Sequence, residues 1–193
     1  SYFRTNEWGM NNAYTNPFVY EPHSGYLFAM HRAGGESGTI GMMYSTDNGA
    51  TWSQAELPGF SHQIRDMDFF DENTGYAVGM WGEAFRSTDG GLNWETLPTP
   101  NTVDDFTDIF LMSADEFWLS TNNNVVYYTA TGGQNWAVLP TGSAGFGSFS
   151  AIAANASGDA WIVGFQGYIE HFTGPPPPPL NQPPVASFGF TAT

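Results

Sequence analysis

Three tryptophans set a metric on this chain. Trp52, Trp94 and Trp136 stand 42 residues apart, and each closes a similar short box. The first box runs Ser45-Thr46-Asp47-Asn48-Gly49-Ala50-Thr51-Trp52. The second runs Ser87-Thr88-Asp89-Gly90-Gly91-Leu92-Asn93-Trp94. A decayed third, Thr129-Ala130-Thr131-Gly132-Gly133-Gln134-Asn135-Trp136, keeps the glycine and the tryptophan but has Thr131 in place of the acid. A fixed period of this length is the mark of a repeat architecture. Between the boxes lie short β-branched and aromatic runs broken by turn residues, four to a period, with no helical periodicity. The chain is therefore expected to be all-β, a β-propeller of four-stranded blades with about four blades visible.

The fourth unit is incomplete. Ser150 to Ala154, Ala160 to Gly164 and Gly167 to Phe172 are strand-like, but no box and no closing tryptophan follow. At the other end, Phe3-Arg4-Thr5 with Asn6-Glu7-Trp8 looks like a shortened Phe85-Arg86-Ser87 to Asn93-Trp94. Either the N-terminus closes a four-bladed ring by supplying the missing strand, or the chain is part of a larger propeller. The match between the N-terminal fragment and the C-terminal gap favours the first. Beyond the propeller, residues 1–173, lies a proline-rich spacer, 174–184, which is stiff polyproline II. Residues 185–193 alternate like the first strand of a truncated β-sandwich.

The box solves a local folding problem. Ser and Asp side chains accept backbone N–H groups and hold a turn, glycine permits positive φ, and tryptophan buries a large ring beneath it. Ser45, Asp47, Gly49, Trp52, Ser87, Asp89, Gly91, Trp94, Gly133 and Trp136 are accordingly assigned as structural. A catalytic carboxylate would not survive replacement by Thr131, whereas a turn would. These segments resemble Asp-box, or BNR, repeats, found in sialidases, xyloglucanases, sortilin-type receptors and photosystem II assembly-factor-like propellers. Asn73-Thr74-Gly75-Tyr76-Ala77-Val78-Gly79 and the second box are most similar to the last group. The stretch from Asn181 to Phe188 resembles the opening of a PKD domain. The resemblance implies a propeller fold and leaves the activity open, because propellers host many.

Charge and composition exclude several partners. The 193 residues include 19 acids, four arginines (Arg4, Arg32, Arg65, Arg86) and no lysine, for a net charge of −15. A chain so poor in cations cannot displace counterions from nucleic acid or dock on anionic lipid. There is no run of about 18 apolar residues, so no membrane insertion is expected. The absence of cysteine removes disulfides and thiolate metal sites.

No catalytic residue is assigned. Sialidase chemistry lacks its Phe-Arg-Ile-Pro motif, and a glycoside hydrolase would need two carboxylates on one groove, for which Asp66, Asp68, Asp104, Asp105 and Asp108 are the candidates. No cofactor is expected. Asp71-Glu72-Asn73-Thr74-Gly75 carries hard oxygen ligands suited to calcium, but it lacks the full calcium loop, and a simple polar turn is preferred. The exposed-aromatic candidates for ligand binding are Trp81, Phe146, Phe149 and Phe165. The function expected is a non-catalytic extracellular or cell-surface module of a secreted protein, binding glycan or an extracellular protein. The alternatives are a structural protomer that self-associates through its N-terminal strand into oligomers or filaments, and a sialidase- or xyloglucanase-like glycosidase.

Overall fold

A computed structural model describes residues 18–20, 24–32, 40–59, 61–100, 103–139, 141 and 148–174. The N-terminal closing strand, Phe146, the proline-rich spacer and the PKD-like tail lie outside the described residues.

The elements follow the 42-residue metric. Blade 1 holds β1 (Phe18–Tyr20), β2 (Leu27–Arg32), β3 (Ile40–Ser45) and β4 (Ser53–Ala55). Blade 2 holds β5 (Ile64–Phe69), β6 (Gly75–Gly79), β7 (Ala84–Ser87) and β8 (Glu95–Thr96). Blade 3 holds β9 (Phe106–Leu111), β10 (Phe117–Thr121), β11 (Val126–Thr129) and β12 (Ala137–Leu139). Blade 4 holds β13 (Phe149–Ala154), β14 (Ala160–Gly164) and β15 (Ile169–Phe172), a three-stranded sheet. Every pairing is antiparallel between sequence neighbours, so each sheet is a meander.

A strand offers its two faces on alternate residues, and in blades 2 and 3 both faces are used. All five residues of β6 and of β10 are buried, the pattern of a strand sandwiched between layers. Phe28, Met30 and Met42 of blade 1 pack on Met67, Phe69, Ala77 and Phe85 of blade 2. Tyr76, Val78 and Ala84 on the opposite face of blade 2 pack on Phe106, Ile109, Phe117 and Leu119 of blade 3. Trp118, Val126 and Tyr128 then meet Phe149, Ile152, Ala160 and Ile162 of blade 4. The core is thus a series of layers between sheets, and among the described residues none joins blade 4 to blade 1.

Candidate functional site

The boxes are built as hydrogen-bonded turns. The Ser45 hydroxyl accepts the Gly49 N–H at 2.7 Å and donates to Asp47 Oδ1 at 2.8 Å. Asp47 in turn accepts the Thr51 N–H at 2.8 Å and hydroxyl at 2.7 Å. The backbone N–H of Thr51 is the main cause that holds the Asp47 carboxyl at about 2, below its ordinary 3.8. Ser87, Asp89, Gly91 and Asn93 repeat the arrangement, and the Trp94 indole N–H donates to the Gly91 carbonyl at 2.9 Å. Burial raises the Asp89 carboxyl, but the Asn93 and Ser87 hydrogen bonds outweigh it and leave the group below its ordinary value. Gly91 sits at φ +85°, and a Cβ there would come within 2.5 Å of the Phe28 ring. In the third box the Thr131 hydroxyl takes over the acid's task and accepts the Asn135 N–H at 2.9 Å. The carboxylates of all these boxes are spent on their own turns.

The acids on the inner strands are engaged differently. Asp66 accepts the Ile109 N–H at 3.0 Å, and Asp68 accepts the Leu111 N–H at 3.3 Å. Asp108 accepts the Ile152 N–H at 2.6 Å. Each carboxyl therefore satisfies a free backbone donor on the innermost strand of the next blade. Burial, reinforced by a hydrogen bond to Asp66, pushes the Asp108 carboxyl up to about 8. Two carboxyls joined by a hydrogen bond are closer than the ~5 Å of a retaining glycosidase, so no sugar fits between them. Asp71 accepts the N–H groups of Asn73 and Thr74 at 2.9 and 2.6 Å, capping the turn that carried the calcium expectation. Among the described residues, no group of three His, Asp or Glu is placed to hold a metal ion.

The aromatic candidates separate. Phe149 is a correction: it is 1% exposed in the layer between blades 3 and 4, because its position on β13 points at Tyr168 and the blade 3 face. Phe165 is exposed on the turn between β14 and β15, and Phe146 falls outside the described residues. Trp81 is 51% exposed on the equivalent turn of blade 2, Met80–Gly82. Both turns link the second and third strands of their blades, so Trp81 and Phe165 stand at the same end of the molecule.

Trp81 is held rigidly. Its φ is +57°, in the left-handed region that costs a bulky residue on the order of 1 kcal/mol. The Trp81 N–H donates to Asp105 Oδ1 at 3.1 Å, and Asp105 pairs with Arg65 at 3.6 Å. The His62 ring lies 5.8 Å from the indole. Glu83 fixes that side by accepting the Ser61 hydroxyl at 2.7 Å and the His62 N–H at 3.1 Å, with His62 Nδ1 2.9 Å away. Beside the indole runs an open groove of about 340 Å³ lined by Gly59, Glu83, Leu97, Pro98 and Thr99. Sequence reasoning singled out Trp81 but missed this surround, because Arg65, Asp105 and Glu83 converge only once blades 2 and 3 are side by side.

Four-stranded antiparallel meanders stacked face to face, each locked by an Asp-box turn, define a β-propeller of the BNR type. The family model described as photosynthesis system II assembly factor YCF48 matches residues 44–173, and the chain belongs to that family. A solved structure of YCF48 bound to D1 peptide is similar, at 27% identity and a TM-score of 0.55, over 62% of this chain and 39% of that one. YCF48 from Cyanidioschyzon merolae is similar at 17% identity and a TM-score of 0.62, over 81% of this chain and 52% of that one. The chain thus spans about half or less of the length of these relatives. The GH74 xyloglucanase from Xanthomonas campestris, at 15% identity and a TM-score of 0.59 over 75% of this chain and 26% of that one, shares the fold alone. No curated protein matches the sequence.

The family corrects one expectation and agrees with another. An assembly factor of photosystem II is not an extracellular or cell-surface module, so that location, with its bacterial-type secreted context, is withdrawn. The non-catalytic expectation stands, since the family is that of an assembly factor and not of a hydrolase. No helix among the described residues is long and apolar enough to cross a membrane.

Proposed function

We propose that this propeller is a protein-binding module that takes a basic peptide segment at the Trp81 end of blades 2 and 3. The observation that carries the reading is Trp81 itself. A large apolar ring is held half-exposed at a strained backbone position, above a groove, with Glu83 and Asp105 beside it. An indole flanked by carboxylates suits a Lys or Arg side chain, which gains cation–π contact on the ring and charge-assisted bonds at its rim. The net charge of −15 steers such a segment toward the protein. The similar YCF48 structure bound to D1 peptide supports a peptide as the kind of partner.

The test is a titration with a D1 peptide and with variants of it made more basic and more acidic, followed by tryptophan emission. Trp81→Gly is the informative substitution, because glycine relieves the left-handed strain while removing the ring, so the fold is retained. Affinity is expected to fall about tenfold in Trp81→Gly, or ~1.4 kcal/mol, and to weaken with salt. Unchanged affinity in Trp81→Gly, or preference for the acidic peptide, would refute the assignment.

A further inference from the structure

The repeat allows the same position to be followed from blade to blade, and it shows that the stack is unfinished at both ends. The second residue of the second strand is Phe28, Tyr76, Trp118 and Trp161 in blades 1 to 4. The next blade covers the first three almost completely, with Tyr76 and Trp118 at 0% exposure, while Trp161 is 39% exposed. Two residues on along the same face, Met30, Val78 and Ser120 are buried and Val163 is 40% exposed. On the third strand Met42, Ala84 and Val126 are buried and Ile169 is 69% exposed. His171 stacks on Trp161 at 4.6 Å, so the aromatic surface is already ordered.

Blade 1 shows the complementary deficit. Phe117, together with Ala77 and Leu119, is fully buried where the second strands of blades 2 and 3 receive the preceding blade. Their counterparts in blade 1 are Leu27 and Ala29, both half-buried. Met43, the counterpart of the buried Phe85 and Tyr127, is half-buried as well. One end of the stack therefore presents a donor face, and the other an acceptor face, of an interface that the chain makes three times internally.

From this we infer that the occupant of the blade 4 face is blade 1 of a second copy of this chain. Continuity with the internal interfaces fixes the chemistry: Trp161, Val163 and Ile169 of one copy meet Leu27, Ala29 and Met43 of the other. A head-to-tail contact grows without limit unless rotation closes it. Two copies make the contact twice and close into one ring of eight blades. The relatives support that size, since this chain spans 39% and 52% of two YCF48 chains that are similar to it. This contact is between sheet faces and needs no exchange of the N-terminal strand.

Light scattering on the native chain from about 1 to about 100 μM reads the assembly directly. The expected mass is twice the 21.1 kDa of one chain. Trp161→Glu and Leu27→Glu should each return the single mass with circular dichroism unchanged. Mixing the two variants regenerates one intact face pair per dimer, so the double mass should reappear only in the mixture. A native chain that stays single across the range overturns the inference, whether its blade 4 is free or covered by its own blade 1. So do polymers beyond two, or a double mass that persists in both variants.

Discussion

Asp108 shows how much one side chain depends on its place in the stack. Its carboxyl is lifted from an ordinary 3.8 to about 8 by burial and by the hydrogen bond to Asp66. A group whose native value is raised stabilises the fold fully below its unfolded value, and that contribution is lost as pH rises through the native one. Asp108 therefore makes the native state progressively less stable between about pH 4 and about pH 8, and the loss levels off above that. Asparagine at this site keeps an acceptor for the Ile152 N–H and offers a donor to Asp66, but carries no charge. Asp108→Asn should have a flatter stability profile than the native chain, gaining on it from about pH 5 to about pH 9. Urea unfolding midpoints across that range measure the gain, and a difference that does not change with pH would contradict it. The sequence showed Asp66, Asp68 and Asp108 as acids on strand entries, but not their work. The partner N–H groups lie 43 or 44 residues away, and only the register of adjacent blades brings them together.

At the scale of the element, the box is a turn whose parts can be exchanged. Ser87 and Asp89 do in blade 2 what Thr129 and Thr131 do in blade 3, with hydroxyls for both acceptors. Thr131→Asp should restore charge-assisted acceptance of the Asn135 N–H and stabilise the protein by about 1 kcal/mol. Thermal unfolding of the variant checks this, and a lowered midpoint would mean that the third turn is not an acid-compatible copy. The box was legible because all of its bonds fall within a few residues of one another. The use of its tryptophan was less so: the Trp136 indole N–H leaves its own turn and donates to the Pro98 carbonyl of the preceding blade at 3.0 Å. The strands were legible for the same local reason, since alternating apolar runs closed by glycine and asparagine turns carry their own signal. The left-handed Trp81 was not, because only the Met80–Gly82 turn geometry requires it.

The whole molecule is a stack of similar sheets, and its period was fixed by three tryptophans before any strand was drawn. What the period could not say is which faces are covered. Phe149 and Phe165 are both aromatic residues of blade 4, yet one is buried between sheets and the other is in solvent. The choice depends on strand parity and on the presence of a neighbouring blade, neither of which a single segment encodes. That uneven burial turns the tryptophans into optical reporters of separate surfaces. Trp94 and Trp118 are shielded, whereas Trp81 marks the blade-end loops and Trp161 the uncovered sheet. With a net charge of −15 around them, the two exposed indoles lie in a field that repels anions and gathers cations. Caesium should therefore quench their emission more strongly than iodide relative to free tryptophan, and the gap should close as salt is raised to about 0.5 M. Peptide bound at the loops would protect the first of these colours, and a neighbouring sheet the second, so one spectrum could tell the two events apart.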